Sequence, residues 1–136
     1  MKTIFLIMLL SAGLTQSQNI KLEVNISGFD SNDGKVKIGL YNSEGTFLQT
    51  TFKNGMSGIE NKKATITFTD LPKGDYAISL YHDENDNGIL DRNMFGIPSE
   101  DYASSNNAKG VMGPPKYADA KFTITANSKI NIILNN

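Results

Sequence analysis

From residue 20 onward the chain alternates apolar and polar positions with a period of two, the pattern of strands with one buried face. Ile20, Leu22, Val24 and Ile26 alternate with Lys21, Glu23, Asn25 and Ser27. The stretch Asp30–Gly34 (D-S-N-D-G) ends in Asp-Gly, a favoured hairpin dipeptide. Val36, Ile38 and Leu40 then alternate with Lys35, Lys37 and Gly39. This predicts two strands joined and paired through a hairpin. Between Asn42 and Lys63 the pattern weakens: Phe47 to Phe52 suits a short strand, and Lys53 to Asn61 is loop-like.

Alternation resumes with Ala64, Ile66 and Phe68 against Thr65, Thr67 and Thr69. Leu71-Pro72-Lys73-Gly74 is a turn, because Pro72 presets φ and Gly74 relaxes the exit. The next strand turns Tyr76, Ile78 and Leu80 to one face. After a connection from Asp83 to Tyr117, two more strands are expected around Ala120, Phe122, Ile124 and around Ile130, Ile132, Leu134, with a turn at Asn127-Ser128. Short strands, turns between them and no helical periodicity predict an all-β antiparallel sandwich of about seven strands, immunoglobulin-like or transthyretin-like, with one long ordered loop.

The segment before the first strand has a different character. Lys2 is followed by an apolar run, Ile4 to Leu10, and Thr15-Gln16-Ser17 places small residues where a leader peptidase cuts. Residues 1–17 therefore read as a signal peptide and 18–136 as a single domain. The apolar run is shorter than the roughly 20 residues that span a bilayer, so a membrane span is not expected. The chain has no cysteine, which removes both disulfides and the thioether-linked lipid anchor of bacterial lipoproteins. The expected product is exported, periplasmic or secreted. Its formal charge of −1 falls by one unit when Lys2 leaves with the leader. Such a balance offers nothing to nucleic acid.

The long connection carries the candidate chemistry. Loops of this length are uncommon in compact domains and are usually functional or disordered. Its apolar and aromatic residues (Ile89, Leu90, Met94, Phe95, Ile97, Tyr102, Val111, Met112, Tyr117) and its Gly and Pro breakers suggest an ordered loop packed over one end of the sandwich. It opens D-E-N-D-N-G-I-L-D. Oxygen-bearing side chains at Asp83, Asn85 and Asn87, a tight-turn glycine at Gly88, the Ile89 carbonyl and Asp91 follow the first nine positions of a calcium loop. The twelfth position is Met94, which cannot ligate calcium, so Glu84, Asp86, Glu100 or Asp101 would have to complete the shell. The alternative is an Asx-rich turn whose side chains brace the backbone.

The second half of the loop offers Tyr102, Asn106, Asn107 and Tyr117 as a polar and aromatic surface for a glycan or peptide. The bland alternative has the asparagines tying the loop to itself and the tyrosines covering the core. His82 is the only histidine. With no G-x-S-x-G or H-E-x-x-H motif nearby, it reads as a structural residue or an auxiliary ligand rather than a catalyst. The clustered acids suit a cation better than the facing carboxylates of a glycosidase. Enzyme activity is not expected.

Several runs together resemble the bacterial secreted domains of domain-of-unknown-function family 2141. They are L-P-K-G-D-Y-A-I-S-L-Y-H-D-E-N-D-N-G-I-L-D (Leu71 to Asp91), G-I-P-S-E-D-Y (Gly96 to Tyr102), S-N-N-A (Ser105 to Ala108) and G-P-P-K-Y-A-D-A-K-F (Gly113 to Phe122). The resemblance covers about residues 20 to 134. It implies an exported β-sandwich and no known activity, ligand or partner. Ala103-Ser104 stands where that family often has glycine and an aromatic, which weakens an aromatic pocket there. The Leu71–Tyr76 turn is also similar to that of transthyretin-like and carboxypeptidase-regulatory-like domains, usually accessory or binding modules. The function expected is a non-enzymatic binding or accessory protein with a calcium-stabilised loop. The alternatives are a structural envelope or extracellular matrix component, and, more distantly, an acid-dependent glycan hydrolase.

Overall fold

Apolar positions of the alternating segments turn to one shared interior. The structure, a computed structural model, describes residues 19–134; the expected leader lies outside them. Among the described residues eight strands form two sheets: β1 (Ile20–Ser27), β2 (Lys35–Tyr41), β3 (Lys53–Ser57), β4 (Lys63–Leu71), β5 (Gly74–Asp83), β6 (Tyr102–Ser104), β7 (Phe122–Ile124) and β8 (Ser128–Ile133). One sheet has the order β4-β1-β8. The other runs β3-β2-β5-β6, and β7 pairs with the other end of β5. Leu22, Val24 and Ile26 from one sheet and Val36, Leu40, Ile78 and Leu80 from the other share a core with almost no exposure. Burial of this kind is the main driving force for such a fold. Among the described residues no helix is long and apolar enough to cross a membrane.

The sandwich is as expected, but several local features are not. The Asp30–Gly34 turn does not join paired strands: β1 pairs with β4 and β8, whereas β2 pairs with β3 and β5. The turn is an arch from one sheet to the other. Both strands alternate identically in either arrangement, because in either one each has a single face toward the core. Phe47 to Phe52 is not a strand. A 3₁₀ turn at Glu44–Thr46 and a left-handed Leu48 (φ 62°) curl it, and Phe47 instead packs edge-on to Tyr41. The strand falls on the loop-like Lys53–Ser57, an edge strand without a buried residue. There Gly55 allows close packing against Ile38 and Ile66.

The last two strands also part company. β7 joins β5, while β8 crosses to lie parallel to β1, a departure from the antiparallel pattern of the other pairs. Ala120 belongs to a short helical turn, Tyr117–Ala120, rather than to a strand. The β4–β5 turn is held by Tyr76, whose hydroxyl donates to the Pro72 carbonyl at 2.7 Å. Tyr76→Phe keeps the ring and loses that bond, so a loss of about 1 kcal/mol is expected. An unchanged urea midpoint would assign the turn to Pro72 and Gly74 alone.

Candidate functional site

β5 is the longest strand, and its C-terminal end delivers two buried polar side chains, His82 and Asp83, to opposite faces of the sheet. Asp83 is fully buried. Its Oδ1 accepts the Asn87 N–H at 3.1 Å and its Oδ2 accepts the Gly88 N–H at 2.9 Å. The Lys37 ammonium, from the adjacent strand β2, lies 3.6 Å from Oδ2. The chain can fold back onto Asp83 because Asp86 and Gly88 both take positive φ.

The other oxygens converge nearby. Asp91 accepts from the amides of Asn85 (2.6 Å) and Asn87 (2.8 and 3.0 Å). The Asn87 Oδ1 accepts the Ile89 N–H at 3.1 Å, while the Ile89 side chain is exposed. Glu100 reaches in from farther along the loop: its two carboxylate oxygens accept the N–H groups of Glu84 (3.2 Å) and Asp91 (3.0 Å). The Tyr81 hydroxyl donates to the Gly88 carbonyl at 3.2 Å. Burial pushes the Tyr81 phenol up, and the carboxylates of Asp83, Glu100 and Asp91 push it further. Three negative groups thus act on one phenol.

Asp83, Asn85, Asn87 and Asp91 are therefore linked by hydrogen bonds, Ile89 joins them through its N–H, and Glu100 is the acid that reaches the same turn. As folded, their oxygens brace backbone and amide groups. Among the described residues no group of three or more His, Asp or Glu side chains is arranged to hold a metal ion. An oxygen set for a hard cation here has to include amide and carbonyl oxygens. A carboxylate oxygen that accepts one N–H retains a second lone pair, and so do the Oδ1 atoms of Asn85 and Asn87, which accept the Asn87 and Ile89 N–H groups. That is the sense in which the residues fit calcium.

The loop continues as a tight knuckle in which Asn93 accepts the N–H groups of Phe95 and Ile97 and the Arg92 guanidinium donates to Gly96. Contrary to expectation, many of the loop's apolar residues do not pack on the sandwich, although Tyr117 does. Met94 is 90 % exposed, Phe95 80 % and Met112 fully exposed. The core is already closed by the strands, and the knuckle's internal bonds hold its side chains outward.

Tyr102, Asn106, Asn107 and Tyr117 separate into two places. A cleft of about 370 Å³ lies between the loop and the end of β8, with Glu100, Asp101, Tyr102, Asn107, Lys109 and Ile133 on its walls. Tyr102 is about half exposed there. Asn107 also braces, its Oδ1 accepting the Ile133 N–H at 3.0 Å. Asn106 and Tyr117 are not on those walls. The Asn106 amide donates to the carbonyls of Asp119 and Lys121 at 3.1 and 2.8 Å, and Tyr117 packs against Phe47. Ser105, which the sequence did not single out, is a buried brace: its hydroxyl accepts the Ile78 N–H and donates to the Ala120 carbonyl. The second of two serines in a polar run carries no signal of that role.

Residues 24–132 match a family described as "Uncharacterized protein conserved in bacteria (DUF2141)". No curated relative and no solved structure matches the chain.

Proposed function

The chain belongs to this family of uncharacterised bacterial proteins, and from that premise we propose that it is an exported, non-enzymatic binding or accessory module. The observation that carries this reading is the cleft beside Tyr102, walled by ordered loop backbone and offering an exposed ring, carboxylates and a lysine within one concavity. Concave sites with a few convergent polar groups are where small ligands bind. A tyrosine face flanked by hydroxyl and amide groups suits a glycan or a peptide. The test is a glycan and peptide array with Tyr102→Ala and Asn107→Ala as controls. Binding that Tyr102→Ala abolishes supports the cleft, and binding indifferent to both substitutions moves the site elsewhere.

We propose that calcium stiffens the acidic loop, with Asp83, Asn85, Asn87, Asp91, Glu100 and the Ile89 carbonyl supplying oxygens. Neutral amides among the ligands and the Lys37 ammonium beside Asp83 weaken the field at the ion, so an affinity in the range of extracellular modules, Kd ~10⁻⁴ to 10⁻³ M, is expected. At a calcium concentration about ten times Kd the stabilisation is about 1.4 kcal/mol, or several degrees in Tm. Melting curves that coincide in calcium and in chelator would remove the ion from this account.

A second role, as a structural envelope or matrix component, is favoured by one observation: the bonded knuckle that holds Met94 and Phe95 out in water. Large apolar groups held exposed mark contact sites. Met94→Ser with Phe95→Ser then reduces retention in an envelope fraction and leaves array binding unchanged.

A further inference from the structure

His82 is used by neither the cleft nor the acidic loop. Its ring is fully buried on the core side of β5, edge-on to Phe29 with 5.1 Å between centroids. Nε2 lies 2.6 Å from the Asp33 carbonyl oxygen in the arch between the sheets. A carbonyl can only accept, so Nε2 carries a proton, and in the neutral tautomer protonated there Nδ1 carries an in-plane lone pair. That Nδ1 is buried and has no hydrogen-bond partner. Buried polar atoms are rarely left so, and an orphan calls for a cause.

The group facing it is Glu84. Its Oε1 is 3.6 Å from Nδ1, and its side chain is half exposed. This gap is too long for a hydrogen bond; it is an ion pair if the ring is protonated, and an ionised carboxylate has no proton to give a neutral ring. It does match a bridging cation. With metal–nitrogen and metal–oxygen distances of about 2.0–2.2 Å, a 3.6 Å separation corresponds to an angle of about 120° at the metal, near tetrahedral. Donation of the other ring N–H to a backbone carbonyl is also how ligating histidines are commonly oriented. A nitrogen donor favours a transition metal over calcium or magnesium.

We propose that His82 Nδ1 and Glu84 Oε1 form a site for a divalent transition metal ion of the zinc type, with water completing the coordination. The site is separate from the proposed calcium loop. It joins the arch through Asp33, the end of β5 through His82 and the first turn of the long loop through Glu84, whose own N–H donates to Glu100. An ion there clamps the root of the loop that walls the cleft. With only two protein donors, the affinity is expected to be modest.

The test is calorimetric titration of the purified, tag-free protein with zinc chloride in excess calcium, alongside imidazole ¹H–¹⁵N spectra. One zinc per chain is expected, shifting the Nδ1 resonance of His82 and leaving Nε2 protonated. Glu84→Gln, at a half-exposed position, should fold normally and weaken zinc by at least about 10-fold. Asp91→Asn should leave zinc binding intact. The proposal is overturned by no zinc binding at millimolar concentration or by an Nδ1 signal that zinc leaves unmoved. It is equally overturned by binding that survives Glu84→Gln and is lost with Asp91→Asn, which would put zinc in the acidic loop.

Discussion

Gly34→Ala is expected to remove about 3 kcal/mol or more of stability, a large share of the ~5–15 kcal/mol typical of a domain. Gly34 sits at φ +64°, and an added Cβ would overlap the Asp83 carbonyl oxygen and approach that of Glu84 to 2.7 Å. Neither atom is the end of a flexible side chain. Both belong to backbone held in place by the Lys35–Asp83 pairing of β2 and β5 and by the Glu84–Glu100 bond. A left-handed alanine adds a further ~1–2 kcal/mol. The arch must shift, and with it the Asp33 carbonyl that orients His82. Urea unfolding measures the effect. A midpoint within error of wild type would mean that the arch yields easily and is not a tight junction between the sheets.

Asp83→Ala is expected to cost about 3 kcal/mol even in chelator. The substitution removes the acceptor of the Gly88 N–H and one of the two acceptors of the Asn87 N–H, and a bond to a charged group is worth about 1.5–3 kcal/mol. It also leaves the three-quarters-buried Lys37 side chain beside a void. Asp91→Asn separates this bracing role from ion binding. Asp91 is only partly buried and its partners are other loop side chains, so in chelator its loss should cost well under half as much, while both variants should lose the calcium-dependent rise in Tm. Should Asp83→Ala match wild type in chelator, the buried carboxylate is not the keystone of the loop.

The loop's chemistry was legible because it is local. Oxygens at Asp83, Asn85, Asn87 and Asp91 with Gly88 between them are a property of consecutive residues, and one turn of backbone brings them together whatever lies beyond it. Glu100 was recognisable only as one of several acids able to complete the shell, since its arrival depends on how the chain folds back between them. Lys37 was invisible: it is one of two outward lysines on β2, and the register that pairs it with Tyr81 leaves its ammonium diagonally beside Asp83. The orphaned nitrogen of His82 depended likewise on the arch.

The strands that alternate apolar and polar residues, the interior face of each of those strands and the oxygen-rich turn follow from the order of residues alone, because alternation and spacing act within a few positions of one another. Which strands are neighbours does not. The Asp30–Gly34 segment makes an arch rather than a hairpin, β8 runs parallel to β1, and the polar Lys53–Ser57 becomes an edge strand. Those outcomes were decided by the packing of one sheet on the other, where the same buried face satisfies several pairings locally and only the closed core selects among them.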